Sequence, residues 1–465
     1  MIETPLAARL LDPTILREND IRGLVGETLF EADARAIGLA FGSLLIEQGG
    51  RTAAVGFDGR LSSPDLEAAL VGGLRDAGVD VWRSGLGPSP MLYYAREKLA
   101  TDAGLMITGS HNPAAYNGIK MTMFGRPFYA DHIQNLGLRA ARGDFTRGTG
   151  KVENYEVLTA YVDRLLDDYR GDKKLKIAWD PGNGAAGDAL VALTQRLPGE
   201  HFLINEKIDG TFPAHHPDPT VEENLVQLKA LVADNGCDIG IGFDGDGDRI
   251  GIIDGHGRVL WGDQLLVLLA EEVLASHPGA PIITDIKASQ LFSDEITRMG
   301  GQPVLWKVGH AHIKTKMMEM DSPLAGEMSA HIFFRDRHYG YDDALYAAVR
   351  LLSILASGER SLADVYDALP HFENTPELRF DCAEARKYEI IEEVRNRLAK
   401  TAGLQINDLD GLRVNSDHGW WLLRVSNTQA AISARCESTT PAGLLRLKRE
   451  LAEQLRLSGI TSTDL

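Results

Sequence analysis

An α/β fold built from several related domains is predicted for this chain by two observations. Apolar runs repeatedly end in a turn rich in Asp and Gly, at residues 53–60, 177–184, 239–248 and 282–287, and a helical pattern follows most of them. Strand, polar turn and helix in that order is the layering of α/β proteins, in which ligands gather at the carboxyl ends of the strands. At 465 residues the chain is also too long for one core.

The final stretch changes character. Residues 388–398 have helical apolar spacing, residues 412–414 and 420–425 read as strands joined by a turn over 415–419, and residues 444–455 read as a closing helix. An α+β segment is therefore expected at the end of the chain.

The first chemically informative element is Thr108-Gly-Ser-His-Asn-Pro113, which follows the apolar run Leu105-Met-Ile107. Gly109 lets the backbone turn sharply and Pro113 biases Asn112 away from helix, so Ser110 is expected at a strand end, where a nucleophile or phosphate carrier is needed. A helix N-cap is the alternative reading, since Ser and Asn are usual capping residues.

The second is Gly242-Phe-Asp-Gly-Asp-Gly-Asp-Arg249, set between the apolar runs 238–241 and 250–253. Asp244, Asp246 and Asp248 crowd three carboxylates into five residues, and the intervening glycines let them converge. Oxygen-only ligands favour Mg2+ or Ca2+, and three of them leave open positions for water or a phosphate oxygen. An EF-hand would need Gly at its sixth position and Glu at its twelfth, where this chain has Arg249 and Gly255. A metal-free acidic turn is disfavoured because like charges this close are costly unless neutralised. A serine on a turn beside an open Mg2+ site suggests phosphoryl transfer.

Two later segments complete the set. Gly326-Glu-Met-Ser-Ala-His331 offers a carboxylate, a hydroxyl and an imidazole, and Arg424-Val-Ser-Asn-Thr428 offers a guanidinium fork with hydroxyl and amide donors that can grip a phosphate. A plain strand-end turn is the other reading of the last of these.

Taken in this order, the four motifs resemble the α-D-phosphohexomutase family, and most closely its bacterial phosphomannomutase/phosphoglucomutase branch, over essentially the whole chain. The resemblance implies three similar α/β domains with mixed sheets and a smaller α+β C-terminal domain around a central active-site cleft. Their expected spans are 1–155 with the phosphoserine loop, 156–258 with the metal loop, 259–370 with the sugar loop, and 371–465 with the phosphate loop. It implies a reversible mutase that moves a phosphoryl group between the 1 and 6 oxygens of a hexose. Glucose or mannose 1,6-bisphosphate would be activator and intermediate.

In that scheme Ser110 carries the phosphate and shares Mg2+ with Asp244, Asp246 and Asp248. Lys120 and Arg249 neutralise developing charge, and His331 acts as general base with His310 near it. Glu327 and Ser329 contact sugar hydroxyls. Arg22, Lys287, Gly309, Arg424, Ser426, Asn427 and Thr428 bind the rest of the substrate. Ala330, Val308, Asn19 and Gln429-Ala430 depart from the family's usual residues at their positions, so the sugar pocket and the closure of the last domain are open to retuning. Met328 and Asn427 favour mannose and glucose over glucosamine. A phosphoglucosamine mutase and a sugar phosphatase using the same phosphoserine are the alternatives.

Bulk composition restricts the partners. With 66 acidic and 48 basic side chains the formal charge is -18, which argues against nucleic acid or an anionic membrane. An anionic sugar phosphate then requires a locally positive cleft, for which the basic and donor groups near the motifs are candidates. Cys237, Cys382 and Cys436 are unpaired in spacing and read as reduced, buried residues of a cytoplasmic protein. The start lacks a basic and apolar leader and no aliphatic run is long enough to span a bilayer. A monomer is expected.

Overall fold

The computed structural model describes residues 8–383, 385–399, 401, 403–426 and 431–460, which build four sheets. The first runs through Ile21–Leu24, Tyr116–Met123, Ala103–Ile107, Thr52–Phe57, Asp80–Leu86 and Val152–Asn154, with Arg126–Pro127 paired alongside. The second runs through Val259–Leu260, Ile250–Asp254, Ile239–Phe243, Lys176–Asp180 and Glu200–Leu203. The third comprises Gln302–Trp306, Pro281–Asp285, Leu324–Gly326 and Ile332–Phe334. All three are mixed sheets.

One local arrangement recurs in them and places the chemistry. A strand with a parallel neighbour reverses into an antiparallel partner: Ala103–Ile107 into Tyr116–Met123, Ile239–Phe243 into Ile250–Asp254, and Leu324–Gly326 into Ile332–Phe334. The reversing turns are the serine loop, the aspartate loop and the Glu327 to His331 loop. Each first strand is buried along its whole length. Such strands read as continuous apolar runs because both sheet faces are covered, and the polar turn at the end is where the sequence first meets the cleft.

Packing joins the sheets unequally. The first has its own core, centred on Ile37, Phe41, Leu70 and Leu105. A single apolar cluster extends from Trp179 and Phe243 to Phe334 and Leu345, so the second and third sheets share one interior, to which Met91 and Tyr93 of the helix Ser89–Leu99 also contribute. This continuity fixes the aspartate loop relative to the Glu327 to His331 loop, because interiors at crystal-like density transmit position.

The fourth sheet is antiparallel throughout: Glu373–Asn374, Ala431–Ser438, Gly419–Val425, Leu412–Ser416 and Gln405–Asn407, with Leu378–Asp381 also on Ala431–Ser438. The helices Arg386–Leu398 and Pro441–Leu457 pack Ile390, Val394, Leu447 and Leu451 against Trp421 and Leu423. Three sequence expectations change here. The hairpin turn narrows to Asp417-His418, since Ser416 pairs with Gly419. The closing helix starts earlier, at Pro441, because the Thr440 hydroxyl caps it by accepting from the Gly443 amide at 3.1 Å. Cys382 is only partly buried, whereas Cys237 and Cys436 are buried free thiols.

Arg413 anchors this sheet to the third. It is 2% exposed, donates from Nη1 to the carbonyls of Ile286 and Ala288 at 2.7 Å each, and stacks 3.7 Å from the centre of the Trp420 ring. No helix among the described residues is long and apolar enough to cross a membrane.

Candidate active site

Ser110 follows the strand Ala103–Ile107 with φ +46°, a left-handed conformation uncommon outside glycine, and is 3% exposed. It does not cap a helix; its Oγ donates to Asp244 Oδ2 at 2.9 Å and lies 3.3 Å from His111 Nδ1. The serine loop of the first sheet and the aspartate loop of the second therefore meet through the reactive hydroxyl.

All three loop aspartates are fully buried, with oxygens within 4.8 Å of one another. Asp244 Oδ1 accepts from the amides of Asp248 and Arg249 at 3.1 and 3.2 Å, which shapes the turn. Lys120, on the strand Tyr116–Met123, donates to Asp246 at 2.7 Å and to Asp248. Burial works against the Lys120 charge, but Asp246 and Asp248 hold its pKa well above the usual lysine range. Burial, then Asp248 and Asp246, push Asp244 well above the usual carboxylate range. Burial acts on Asp248 too, yet Lys120 and His331 override it and hold that carboxyl well below the usual range.

This donor set fits a divalent cation. Three hard oxygen ligands converge in a dry site, Asp246 Oδ1 has no hydrogen-bond partner among the described residues, and Asp244 carries the electrostatic cost of its neighbours. Asp244, Asp246 and Asp248 would hold the ion next to Ser110 Oγ.

The third loop closes on the same point. An isolated antiparallel bridge sets Arg249 opposite His331. His331 Nε2 is 3.3 Å from Asp248 Oδ1 and its Nδ1 is 3.0 Å from Glu327 Oε2. Burial lowers the His331 pKa, but Asp248 and the hydrogen bonds to both carboxylates raise it to about 9. Arg249 Nε also approaches Nε2 at 3.3 Å, a contact suited to the neutral ring. The aspartate loop of the second sheet thus reaches the imidazole that is the expected general base.

His310 behaves oppositely. It opens the helix His310–Met320, its ring centre lies 5.6 Å from that of His331, and its Nδ1 has no hydrogen-bond partner among the described residues, with Asp342 Oδ2 3.8 Å away. Burial first, then Lys314 and His331, push its pKa well below the usual histidine range, so the ring is neutral. Gly309 caps this helix at φ +124°, where a Cβ would come within 2.7 Å of Asn19 Oδ1, and its amide donates to Glu327 Oε1 at 2.7 Å. Only glycine suits that position.

The remaining expected contacts form a rim. Arg22, on the strand Ile21–Leu24, donates to the Gly109 carbonyl and, at 3.2 Å, to Asn112 Oδ1, and pairs with Asp20. Lys287 pairs with Glu377 at 3.2 Å, which ties the third sheet to the fourth segment. Arg424 pairs with Asp410 at 3.1 Å, and Asp410 accepts from the Val308 amide at 3.0 Å, beside Gly309. Ser329 Oγ is 3.4 Å from His331 Nδ1. The Ser426 amide donates to the Ala431 carbonyl at 2.9 Å. Asn427 and Thr428 lie outside the described residues.

Several groups at the site escape sequence reasoning. Ser89 donates its hydroxyl to Asp246 Oδ2 and its amide to the Asp246 carbonyl at 2.8 Å. Asp342 accepts from Lys314 at 2.9 Å behind His310. Neither sits in a motif; both arrive from remote segments. His111 was visible within the serine loop, but its closeness to the hydroxyl was not.

Comparison with known proteins bears on the whole chain. Family models described as phosphoglucomutase/phosphomannomutase, alpha/beta/alpha domains I, II and III, match residues 13–147, 159–257 and 261–372, and the C-terminal domain model matches 377–454. The chain is 43% identical over 450 residues to a phosphomannomutase/phosphoglucomutase of Pseudomonas putida, covering 97% of both chains. It is 38% identical to a phosphoglucomutase of Neisseria gonorrhoeae, covering 93% of this chain and 95% of that one. A crystal structure of a phosphoglucomutase/phosphomannomutase family protein from Burkholderia thailandensis superposes with a TM-score of 0.91 at 40% identity, covering 97% of this chain and 98% of that one.

Proposed function

The chain belongs to the phosphoglucomutase/phosphomannomutase family and is a hexose phosphate mutase, and from that premise we propose that Ser110 carries the phosphoryl group it moves between the 1 and 6 oxygens of mannose and glucose phosphates. The observation that carries the reading is the Ser110 hydroxyl seated on Asp244 at the edge of a buried three-carboxylate site.

The phosphorylated serine donates to a free hydroxyl of the hexose monophosphate. The new O–P bond forms at the sugar, the Oγ–P bond breaks, and the hydroxyl proton passes to His331. The resulting 1,6-bisphosphate reorients, the Ser110 oxygen bonds to its other phosphorus, that sugar O–P bond breaks, and His331 gives its proton to the freed sugar oxygen. Mg2+ held by Asp244, Asp246 and Asp248 would supply Lewis-acid stabilisation of the serine oxygen as leaving group. His310, already neutral, stands beside His331. Lys120 and Arg249 meet the charge that develops on the transferred oxygens.

Glu327 and Ser329 orient the sugar hydroxyls. Both Glu327 oxygens already have partners, yet each carboxylate oxygen accepts more than one hydrogen bond. Arg22, Lys287, Gly309, Arg424, Ser426, Asn427 and Thr428 hold the phosphate that is not transferred. In this state Asp410 and Glu377 occupy Arg424 and Lys287, so phosphate binding at the rim exchanges one anion for another. Action as a monomer is the expectation, to be checked by the mass of the protein in solution. The free thiols of Cys237 and Cys436 suit a reducing cytoplasm.

Mannose and glucose differ only at C2, and nothing in the Gly326 to His331 loop singles out that carbon. With Mg2+ and a trace of glucose 1,6-bisphosphate, mannose 1-phosphate and glucose 1-phosphate are both expected to yield 6-phosphates, with kcat/KM values within about a hundredfold, the reach of one polar contact. Turnover of glucosamine 1-phosphate alone would transfer the assignment to a glucosamine-directed mutase. Release of inorganic phosphate in place of isomer would make the protein a phosphatase.

A further inference from the structure

We propose that the ion pair Asp58–Arg60, with Thr108 as its relay, is the positioning device that locks Ser110 in its reactive backbone conformation. The inference rests on Ser110 being the phosphoryl carrier.

Topology brings these residues together. Thr52–Phe57 and Ala103–Ile107 are parallel neighbours with Phe57 level with Ile107, so the turns that follow them lie side by side. The Asp58 amide donates to the Ile107 carbonyl at 2.9 Å, which starts the two turns in register. Both side chains are then enclosed, Asp58 and Arg60 each 1% exposed, with the Phe212 ring centre 5.1 Å from the guanidinium carbon.

The carboxylate governs the peptide before the serine. Asp58 Oδ2 accepts from Thr108 Oγ1 at 2.8 Å and from the Gly109 amide at 3.0 Å, and Thr108 Oγ1 in turn accepts from the Ser110 amide at 2.8 Å. Asp58 Oδ1 is itself fixed by Ser63 Oγ at 2.6 Å and the Arg60 amide at 3.1 Å.

The guanidinium governs the peptides after it. Arg60 Nη2 donates to the carbonyls of Ser110 and Asn112 at 2.7 and 2.6 Å, Nη1 to those of Pro113 and Tyr116 at 2.6 and 2.9 Å, and Nε to Asp58 Oδ2 at 3.1 Å. All five N–H donors of the fork are used, four of them on one loop. A Cβ at Gly109 would lie 2.2 Å from the guanidinium carbon, so the glycine of this loop makes room for Arg60.

Ser110 is thus held on both sides of its Cα, by Thr108 at the amide and by Arg60 at the carbonyl, at a backbone angle that a serine rarely adopts by itself. Backbone conformations of this kind persist when their surroundings over-determine them. A buried ion pair is a weak source of stability compared with apolar packing. Its value here is geometric: the serine oxygen must return to one position twice in each catalytic cycle, and a displacement of about 1 Å can cost about a hundredfold in rate.

The test measures kcat and KM for glucose 1-phosphate, together with the single-turnover rate of transfer from the phosphorylated enzyme, in Arg60→Lys, Thr108→Val and Thr108→Ser. A lysine has three donors from one point and cannot span the fork's acceptors. Arg60→Lys and Thr108→Val are expected to lower kcat and the transfer rate about 10- to 100-fold, with KM changed less than about threefold. Thr108→Ser, which keeps the relay hydroxyl, is expected to recover most of the loss. If Arg60→Lys does not fold, the threonine pair decides. Wild-type transfer rates in Thr108→Val, equal losses in Thr108→Val and Thr108→Ser, or a loss confined to KM or thermal stability would overturn the proposal. Absence of mutase turnover in the wild-type protein would instead remove the functional reading beneath it.

Discussion

Ser110→Ala is expected to abolish mutase turnover, lowering kcat by about four orders of magnitude or more, the scale on which a covalent nucleophile matters. The expectation follows from the position of the hydroxyl. It is the atom that joins the serine loop to the aspartate site, and Lys120 beside it is not free to replace it, being committed to Asp246 and Asp248. The fold should survive, since alanine meets the same backbone strain at φ +46° that serine does. A coupled assay beside a far-UV spectrum separates lost chemistry from lost structure. Retention of more than about 1% of wild-type kcat by a folded Ser110→Ala protein would exclude the phosphoserine route.

Asp244→Asn should produce the second large effect, and with an unusual combination of signs. Asparagine can keep its carbonyl on the Asp248 and Arg249 amides and turn its amide toward Ser110 Oγ, so the loop retains its shape. One of three crowded buried charges is gone, which relieves the repulsion that pushes the Asp244 pKa upward. The metal-free variant is therefore expected to unfold at a temperature no lower than the metal-free wild type. Activity should move the other way, falling at least about a thousandfold, because Lewis-acid stabilisation is worth several kcal/mol. Thermal melts with and without Mg2+ provide the check: the wild type should gain from the ion by mass action and the variant should not. Equal gains in both proteins would remove Asp244 from the metal site.

How much of this was legible in the sequence depends on how far apart the cooperating residues lie. Ser110, the three aspartates and Glu327 with His331 each sit in a turn between two apolar runs, and that local pattern is what the sheets show as a reversing hairpin. Asp58-Gly-Arg60 ends a strand in the same way, and its pattern was visible, yet its purpose was not: the acceptors of Arg60 are some fifty residues away, beyond the reach of spacing arguments. Ser89 and Asp342 carried no local signal at all. The contact of His331 with Asp248 is hidden from the sequence for a related reason. Glu327 stands four residues before it, but Asp248 reaches the ring only because the second and third sheets share one core. In the fourth segment the expected strands form with a shorter turn between them, since polar residues such as Asn415 and Ser416 can continue an exposed hairpin as readily as end it.

The central claim is that the phosphoryl group resides on Ser110 between its two transfers. The most direct measurement is to incubate the protein with Mg2+ and glucose 1,6-bisphosphate carrying labelled phosphate, map the labelled peptide, and then add unlabelled glucose 1-phosphate. Label is expected on Ser110 alone, lost to the sugar on addition of substrate at a rate no slower than kcat. Continued turnover by a protein that never acquires label, or label on another side chain that is chased with the same kinetics, would contradict that claim.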